Sequence, residues 1–228
     1  MLNLTLAAIA FVAAHFLISS TELRPRLVAR LGERAYAGLF SAQAFALIIW
    51  MAVAFRNAPR DRLLWDFPGS AHLALTLMPF VLVLAIGGFA APNPSAVMTA
   101  SPGAAWQPKG VLTVTRHPVM WAFGLWALLH VLANGDLAGL IFFGAFAILA
   151  LLGTRAIDAK KRRLWTPESW QAFSATTSNL PFLAIAQGRT RFDWKGLGWK
   201  TIAIAAALYV AIVFWLHPQV IGVPLVLD

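Results

Sequence analysis

Six stretches of the chain are apolar almost without interruption, at residues 2–19, 36–55, 72–91, 118–134, 137–154 and 199–217. A hydrocarbon core roughly 30 Å thick needs about 20 such residues as helix. Lipid offers no partner to an unpaired backbone group, so each stretch is expected to be helical and the fold all-α. The pattern predicts one polytopic transmembrane bundle of about six spans covering residues 1–228 as a single domain. The fourth and fifth spans are separated only by Asn134-Gly135-Asp136. Asn-Gly reads as a helix stop and Asp as the next N-cap, which predicts a tight helical hairpin. After the fifth span, Thr166-Pro167-Glu168 has the N-cap hydroxyl, first-turn proline and early acid of a helix start. With Trp170 and Phe173 it predicts a short amphipathic helix on the cytoplasmic membrane surface. Pro218, Gly222 and Pro224 are expected to end the last span and leave 218–228 at the interface.

Charge adds an orientation. Arg56, Arg60 and Arg62 are the only basic residues in the second connection and the fourth has none, whereas the other 15 of the 18 Lys and Arg lie in or at the edge of the first, third and fifth. Cytoplasmic loops carry such an excess, which places both termini on the non-cytoplasmic side of a bacterial inner membrane. The cluster Arg155, Lys160, Lys161, Arg162 and Arg163 continues the fifth helix and reads as an anchor to anionic lipid. Trp50, Trp65, Trp106, Trp165, Trp194, Trp199 and Trp215 lie near span ends, as an interfacial belt would.

Composition narrows the function classes. With 60% hydrophobic and 12% charged residues, membrane lipid is the expected surrounding partner. The net charge of +9 does not point to nucleic acid, because the basic residues sit between apolar stretches rather than on one polar face. The first stretch lacks a preceding basic residue and a small-residue cleavage site, so it is expected to stay as a span. The chain has no cysteine, so any metal would be held by histidine or oxygen ligands.

All five histidines, His15, His72, His117, His130 and His217, fall within or at the edge of a predicted span, where ionisable groups are costly. Each also has an architectural explanation. His15 and His130 could serve as interhelical hydrogen-bond partners; His72 and His217 meet headgroup water at span ends. His117 belongs to Arg116-His117-Pro118, where Pro118 opens the fourth helix and Arg116 can reach lipid phosphate. Two imidazoles on facing helices can also clamp a haem iron. His117 and His130 are 13 residues apart, roughly 20 Å along a helix, and cannot share one metal.

A longer pattern runs through the chain. It consists of His15, Leu31-Gly32-Glu33-Arg34-Ala35-Tyr36, His72, Thr115-Arg116-His117-Pro118 through Trp126-Ala127-Leu128-Leu129-His130, Asn134-Gly135, Leu180-Pro181-Phe182, Gln187-Gly188-Arg189 and His217-Pro218. In these residues the chain resembles the NnrU family of bacterial membrane proteins, whose wider membership includes the plant 15-cis-zeta-carotene isomerase. The resemblance implies a multi-pass protein of denitrification or nitric-oxide metabolism, or a haem b dependent cis-trans isomerase with a hydrophobic small-molecule substrate. It implies His15 and His130 as haem ligands. Where the plant isomerase has a cysteine, this chain has Ala127, so the resemblance carries no thiolate ligand exchange over. The predicted topology places His15 and His130 at depths differing by about 10 Å. By depth alone His15 would neighbour His117, while His72, His130 and His217 would form an outer group, in which a haem held by His130 with His72 or His217 is the alternative to the family-derived pair. Arg116, with Arg24 and Arg26, is placed to pair with haem propionates. Arg-His-Pro before a helical hairpin also resembles the isoprenylcysteine methyltransferase type, a second function class. A noncatalytic accessory protein of a respiratory complex is a third.

Overall fold

The computed structural model describes residues 1–96, 99, 101–103, 106–223 and 225. Among the described residues there is no strand, only one isolated bridge between Leu63 and Asp136. The helices are α1 (Leu2–Ser20), α2 (Leu23–Leu31), α3 (Glu33–Arg56), α4 (Ser70–Ala90), α5 (Pro118–Asn134), α6 (Leu137–Leu164), α7 (Pro167–Thr176) and α8 (Trp199–Ala211). Among the described residues five helices are long and apolar enough to cross a membrane, and α5, at 17 residues, is an apolar helix of shorter reach. Large apolar side chains such as Phe45, Phe80, Phe89 and Phe214 point outward on these helices. A soluble surface does not present such continuous apolar area; lipid does.

Three boundaries differ from the hydropathy pattern. Nine residues of the first connection form α2, an amphipathic turn of chain with Arg24, Arg26 and Arg30, and Gly32 with φ of 80° separates it from α3. Helix α6 runs ten residues past the apolar stretch, because Lys and Arg are good helix formers even where hydropathy falls. The last helix does not stop at Pro218. It widens into π turns over Ile212–Ile221 and ends at Gly222 with φ of 82°. A wider turn accommodates a residue that has no N–H and whose ring crowds the preceding carbonyls. Residues 224 and 226–228 of the expected interfacial segment lie outside the described residues.

The contacts divide the chain into two compact units, one of residues 1–71 with 127–156, the other of 72–126 with 157–228. The first unit is built on small residues. Ala7 and Ala8 of α1, Ala54 of α3, and Ala138 and Ala145 of α6 are buried with Leu4, Phe11 and Met51. Without side-chain bulk the helix backbones can approach closely, which is how packing holds helices together in lipid. Trp50 Nε1 donates to Asn3 Oδ1 at 3.0 Å and fixes the pairing of α1 with α3. In the second unit, Gly87 and Gly88 of α4 lie so close to Val111 and to Pro118 and Val119 that a Cβ at either would collide with them. Asp193 ties this unit's loops together, accepting from the backbone N–H of Gly196 at 2.9 Å and of Gly110 at 3.1 Å. Those two donors hold its carboxyl below the usual carboxylate range.

The predicted hairpin is present. Gly135 has φ of 65° and Asp136 Oδ1 accepts from Gly139 N at 2.6 Å, capping α6. The second connection folds onto this turn: Leu64 N donates to Gly135 O at 2.8 Å, and Arg60 pairs with Asp136 at 2.9 Å. A Cβ on residue 135 would overlap the Trp65 carbonyl oxygen, and its φ disfavours any side chain. Gly135→Ala is therefore expected to lower stability by about 1–3 kcal/mol, read from thermal unfolding in detergent micelles. A variant as stable as the parent would show that the turn relaxes freely.

Candidate functional site

Pro118 forces residue 117 out of the helix, so Arg116 and His117 stand at the mouth of α5: His117 O accepts from Trp121 N at 3.0 Å, while the N–H groups of both residues lie ahead of the helix ladder. The chain supplies partners from elsewhere. Arg116 N donates to Ser178 O at 2.9 Å, His117 N to Thr115 Oγ1 at 3.2 Å, and Arg116 O accepts from Asn93 Nδ2 and Ser95 Oγ. The side chains converge on one carboxylate of α6. Asp158 Oδ1 lies 2.8 Å from His117 Nε2, and Asp158 takes Arg116 Nε at 3.1 Å and its terminal nitrogen at 3.0 Å. His117 Nδ1 faces Ser95 Oγ at 3.4 Å, so both ring nitrogens are occupied. Arg116 and His117 are buried, 8% and 3% exposed, so Arg116 turns inward to the carboxylate instead of outward to lipid phosphate.

The helix after Thr166 completes this region. Thr166 Oγ1 caps Ser169 N at 3.3 Å with Pro167 in the first turn, as the sequence predicts. Its aromatic residues pack on the protein. Phe173 is buried against Trp106 and Trp165, and Trp170 lies beneath the guanidinium groups of Arg116 and Arg162. Lys161, expected among the lipid anchors, is also buried and donates to Thr99 O and Oγ1. Arg189 N–H groups close the end of α7 by donating to the carbonyls of Ser174, Ala175 and Thr177. The Thr177 carbonyl also receives Arg116. Thus Arg-His-Pro and Gln-Gly-Arg, distant in sequence, meet at one helix end. The same unit holds a cavity of about 600 Å³ walled by Gly87, Ala90, Val111, Leu112 and Leu197, with Lys109 on its lining.

His15 and His130 fall together in the first unit, whereas His72, His117 and His217 fall in the second. His15 Nδ1 lies 2.7 Å from Phe11 O, and a carbonyl only accepts. The hydrogen therefore sits on Nδ1, leaving the Nε2 lone pair for a ligand, the arrangement typical of metal-binding imidazoles. Its ring packs on Phe11 at 4.6 Å and Phe40 at 5.5 Å. His130 packs on Phe143 at 4.8 Å and follows the fully buried Ala127 by one turn of α5. Phe146 and Phe142 bridge the remainder: Phe11 to Phe146 at 5.0 Å, Phe146 to Phe142 at 5.4 Å, and Phe142 to Phe143 at 5.0 Å. No group of three or more His, Asp or Glu able to hold a metal occurs among the described residues, a count that a two-histidine iron site would not reach. His72 begins α4 and accepts Thr76 Oγ1 on its carbonyl, and His217 Nδ1 meets Val223 O at 2.7 Å.

Two residues that the sequence pattern did not mark stand out in the structure. Asp158 is hidden by its basic neighbours; its signal is that it is the lone acid in a 28-residue apolar and basic helix. Gln43 lies in the middle of α3 with both side-chain amide atoms buried and without a hydrogen-bond partner among the described residues. Its signal is an amide at membrane depth.

Residues 3–225 match the family described as NnrU protein. The chain belongs to the NnrU family. It is 30% identical over 172 residues to the 15-cis-zeta-carotene isomerase, chloroplastic, of Arabidopsis thaliana, which covers 70% of this chain and 44% of that protein. The Zea mays protein of the same name is 26% identical over 200 residues, 82% of this chain and 52% of its own. This NnrU chain thus spans about half the length of the curated relatives it matches. No solved structure matches it.

The Asp158 cluster makes a definite energetic demand. A buried cation that loses its only carboxylate costs about 3–5 kcal/mol, while removing both partners costs less than the two losses together. Asp158→Ala and Arg116→Ala are each expected to destabilise this NnrU protein by about that amount, and the double variant by less than their sum. Equilibrium unfolding in mixed micelles measures all three, and strict additivity would show the pair to be energetically uncoupled.

Proposed function

We propose that the chain is a haem b binding membrane isomerase that interconverts cis and trans double bonds of a long apolar polyene, with His15 and His130 holding the iron. The observation that carries this reading is the likeness to the two plant carotene isomerases, which extends over most of this chain. The donor chemistry supports it. His15 offers an Nε2 lone pair, its Nδ1 hydrogen being held by a carbonyl, and His130 lies in the same compact unit. The rings packed on the two imidazoles are aromatic and apolar, surroundings of the kind a porphyrin face meets. His117, with both nitrogens occupied, is poorly placed to compete.

When bound, haem would supply one-electron chemistry that weakens a double bond enough for rotation. The protein's part is to bind the apolar chain, fix the iron's ligands and keep the site dry. Phe11, Phe142, Phe143 and Phe146 link the two imidazoles through ring contacts, so coordination of one iron by both requires these rings to turn aside. A haem with one labile ligand also takes nitric oxide, the form in which a role in denitrification would appear. The purified protein is expected to show a Soret band whose reduced spectrum is that of haem b. His15→Ala and His130→Ala should each change or abolish it, and His72→Ala and His217→Ala should leave it intact. Loss of the band in the His72 or His217 variant alone would transfer the ligand role to that residue.

The location proposed is a bacterial cytoplasmic membrane with both termini outside, supported by the basic residues gathered in the first, third and fifth connections. Reporter fusions at residues 60 and 180 test it. A cytoplasm-active reporter should work at 180 and fail at 60, and the reverse would invert the topology.

A further inference from the structure

Two span ends and the loops between them enclose the cavity of the second unit. Its apolar wall is Gly87, Ala90 and Ala91 at the end of α4, Val111 and Leu112 in the turn Gly110–Thr113, and Leu197 just ahead of α8. Gly87 lets that turn come close, since a Cβ there would strike Val111. At about 600 Å³ the space is of the size that holds a small ligand. Its polar lining is sparse: Trp106, Gln107, Lys109 and Thr201 carry the side-chain donors, and Gln107 and Lys109 are exposed, so the cavity opens on their side.

That opening lies where spans end. Helix α4 stops at Ala90 and α8 starts at Trp199. Trp194 and Trp199, each 74% exposed, flank the lining residues Gly196 and Leu197 in sequence, as aromatic residues do at headgroup level. Lys109 makes no ion pair among the described residues. Asp193, the carboxylate within its field, spends Oδ2 on Gly110 N and Oδ1 on Gly196 N. Segments 106–112 and 193–201 together carry three lysines, Lys109, Lys195 and Lys200, against that one acid.

Apolar walls that open beside an uncompensated cation at headgroup level are complementary to an amphiphile with a hydrocarbon chain and an anionic head, and basic pockets between spans take such lipids. We propose that the cavity holds one acyl chain of an anionic phospholipid, with the lipid's phosphate at Lys109. The site lies wholly in the second unit and is independent of the haem reading.

The test titrates the full-length protein, delipidated in neutral detergent, with dioleoyl phosphatidylglycerol, dioleoyl phosphatidylcholine and oleate, and counts bound lipid by native mass spectrometry. Wild type is expected to retain one phosphatidylglycerol about fivefold more tightly than phosphatidylcholine, the preference that one lysine near an anionic headgroup confers. Lys109→Gln should bind the two phospholipids equally and Lys109→Arg should keep the preference. Arg163→Gln, which removes an exposed charge on α6 away from the lining, should leave it unchanged. Ala90→Phe, which fills the cavity, should weaken both phospholipids without altering their ratio. Lys109→Gln changes an exposed side chain and is expected to melt with wild type, so its binding can be read even where Ala90→Phe fails to fold. Equal retention of the two phospholipids by wild type, an unchanged preference in Lys109→Gln, or the same loss in Arg163→Gln would overturn the assignment. A folded Ala90→Phe protein that binds both as wild type does would overturn it by placing the chain elsewhere. Tighter binding of oleate than of phosphatidylglycerol would overturn it as well, by making the occupant a free carboxylic acid.

Discussion

A carboxylate placed where two cationic or polar side chains have been turned away from water binds all three into one arrangement. Asp158 does this for Arg116 and His117. Pro118 starts α5 abruptly, which leaves the two residues before it with backbone groups that must find partners outside that helix. They find them in Asn93, Ser95, Thr115 and Ser178, and the guanidinium that follows them inward needs both a counter-charge and carbonyls. Hence the connection before α5, the end of α6 and the end of α7 are specified together. Arg189 reaches the same Thr177 carbonyl that Arg116 uses, so a motif 73 residues further on is part of the same solution.

Much of this fold was legible in hydropathy, because lipid imposes a single rule on every span. The hairpin at Asn134-Gly135-Asp136 and the start of α7 at Thr166 were legible for a different reason: capping is local, and a few neighbouring residues determine it. What failed was inference from composition about direction. Lys161, Arg116, Trp165 and Phe173 have the type and position of lipid-facing residues, yet all four turn inward, because a long side chain at a span end can meet either the interface or a loop folded against it. Only the loop's path decides, and a connection such as 91–117 has no periodicity to reveal its path. The π turns around Pro218 were hidden for a similar reason, since the proline signal is equally consistent with a stop and with a widened turn.

The histidines show the same division between what spacing can and cannot settle. Spacing excluded a metal shared by His117 and His130 on one helix, because helical rise is fixed. It could not foresee that His117 spends both nitrogens on Asp158 and Ser95, which are contacts across 41 and 22 residues. Estimates of depth sorted the histidines into an inner pair and an outer trio, and each of those groups is divided between the two compact units. His15 and His130, the pair implied by resemblance, share the first unit, and His72, His117 and His217 share the second.

Buried polar groups in this chain follow two patterns. Those of the Asp158 cluster are satisfied: each named donor has an acceptor and the charges balance, which is what a stable interior requires. Gln43 is the opposite case, a side chain whose donor and acceptor are both buried and without a hydrogen-bond partner among the described residues. Packing does not call for it, since the stripe of α3 on which it lies is otherwise apolar and continuous with the core. The fully paired cluster at α5 is thus a sign of folding.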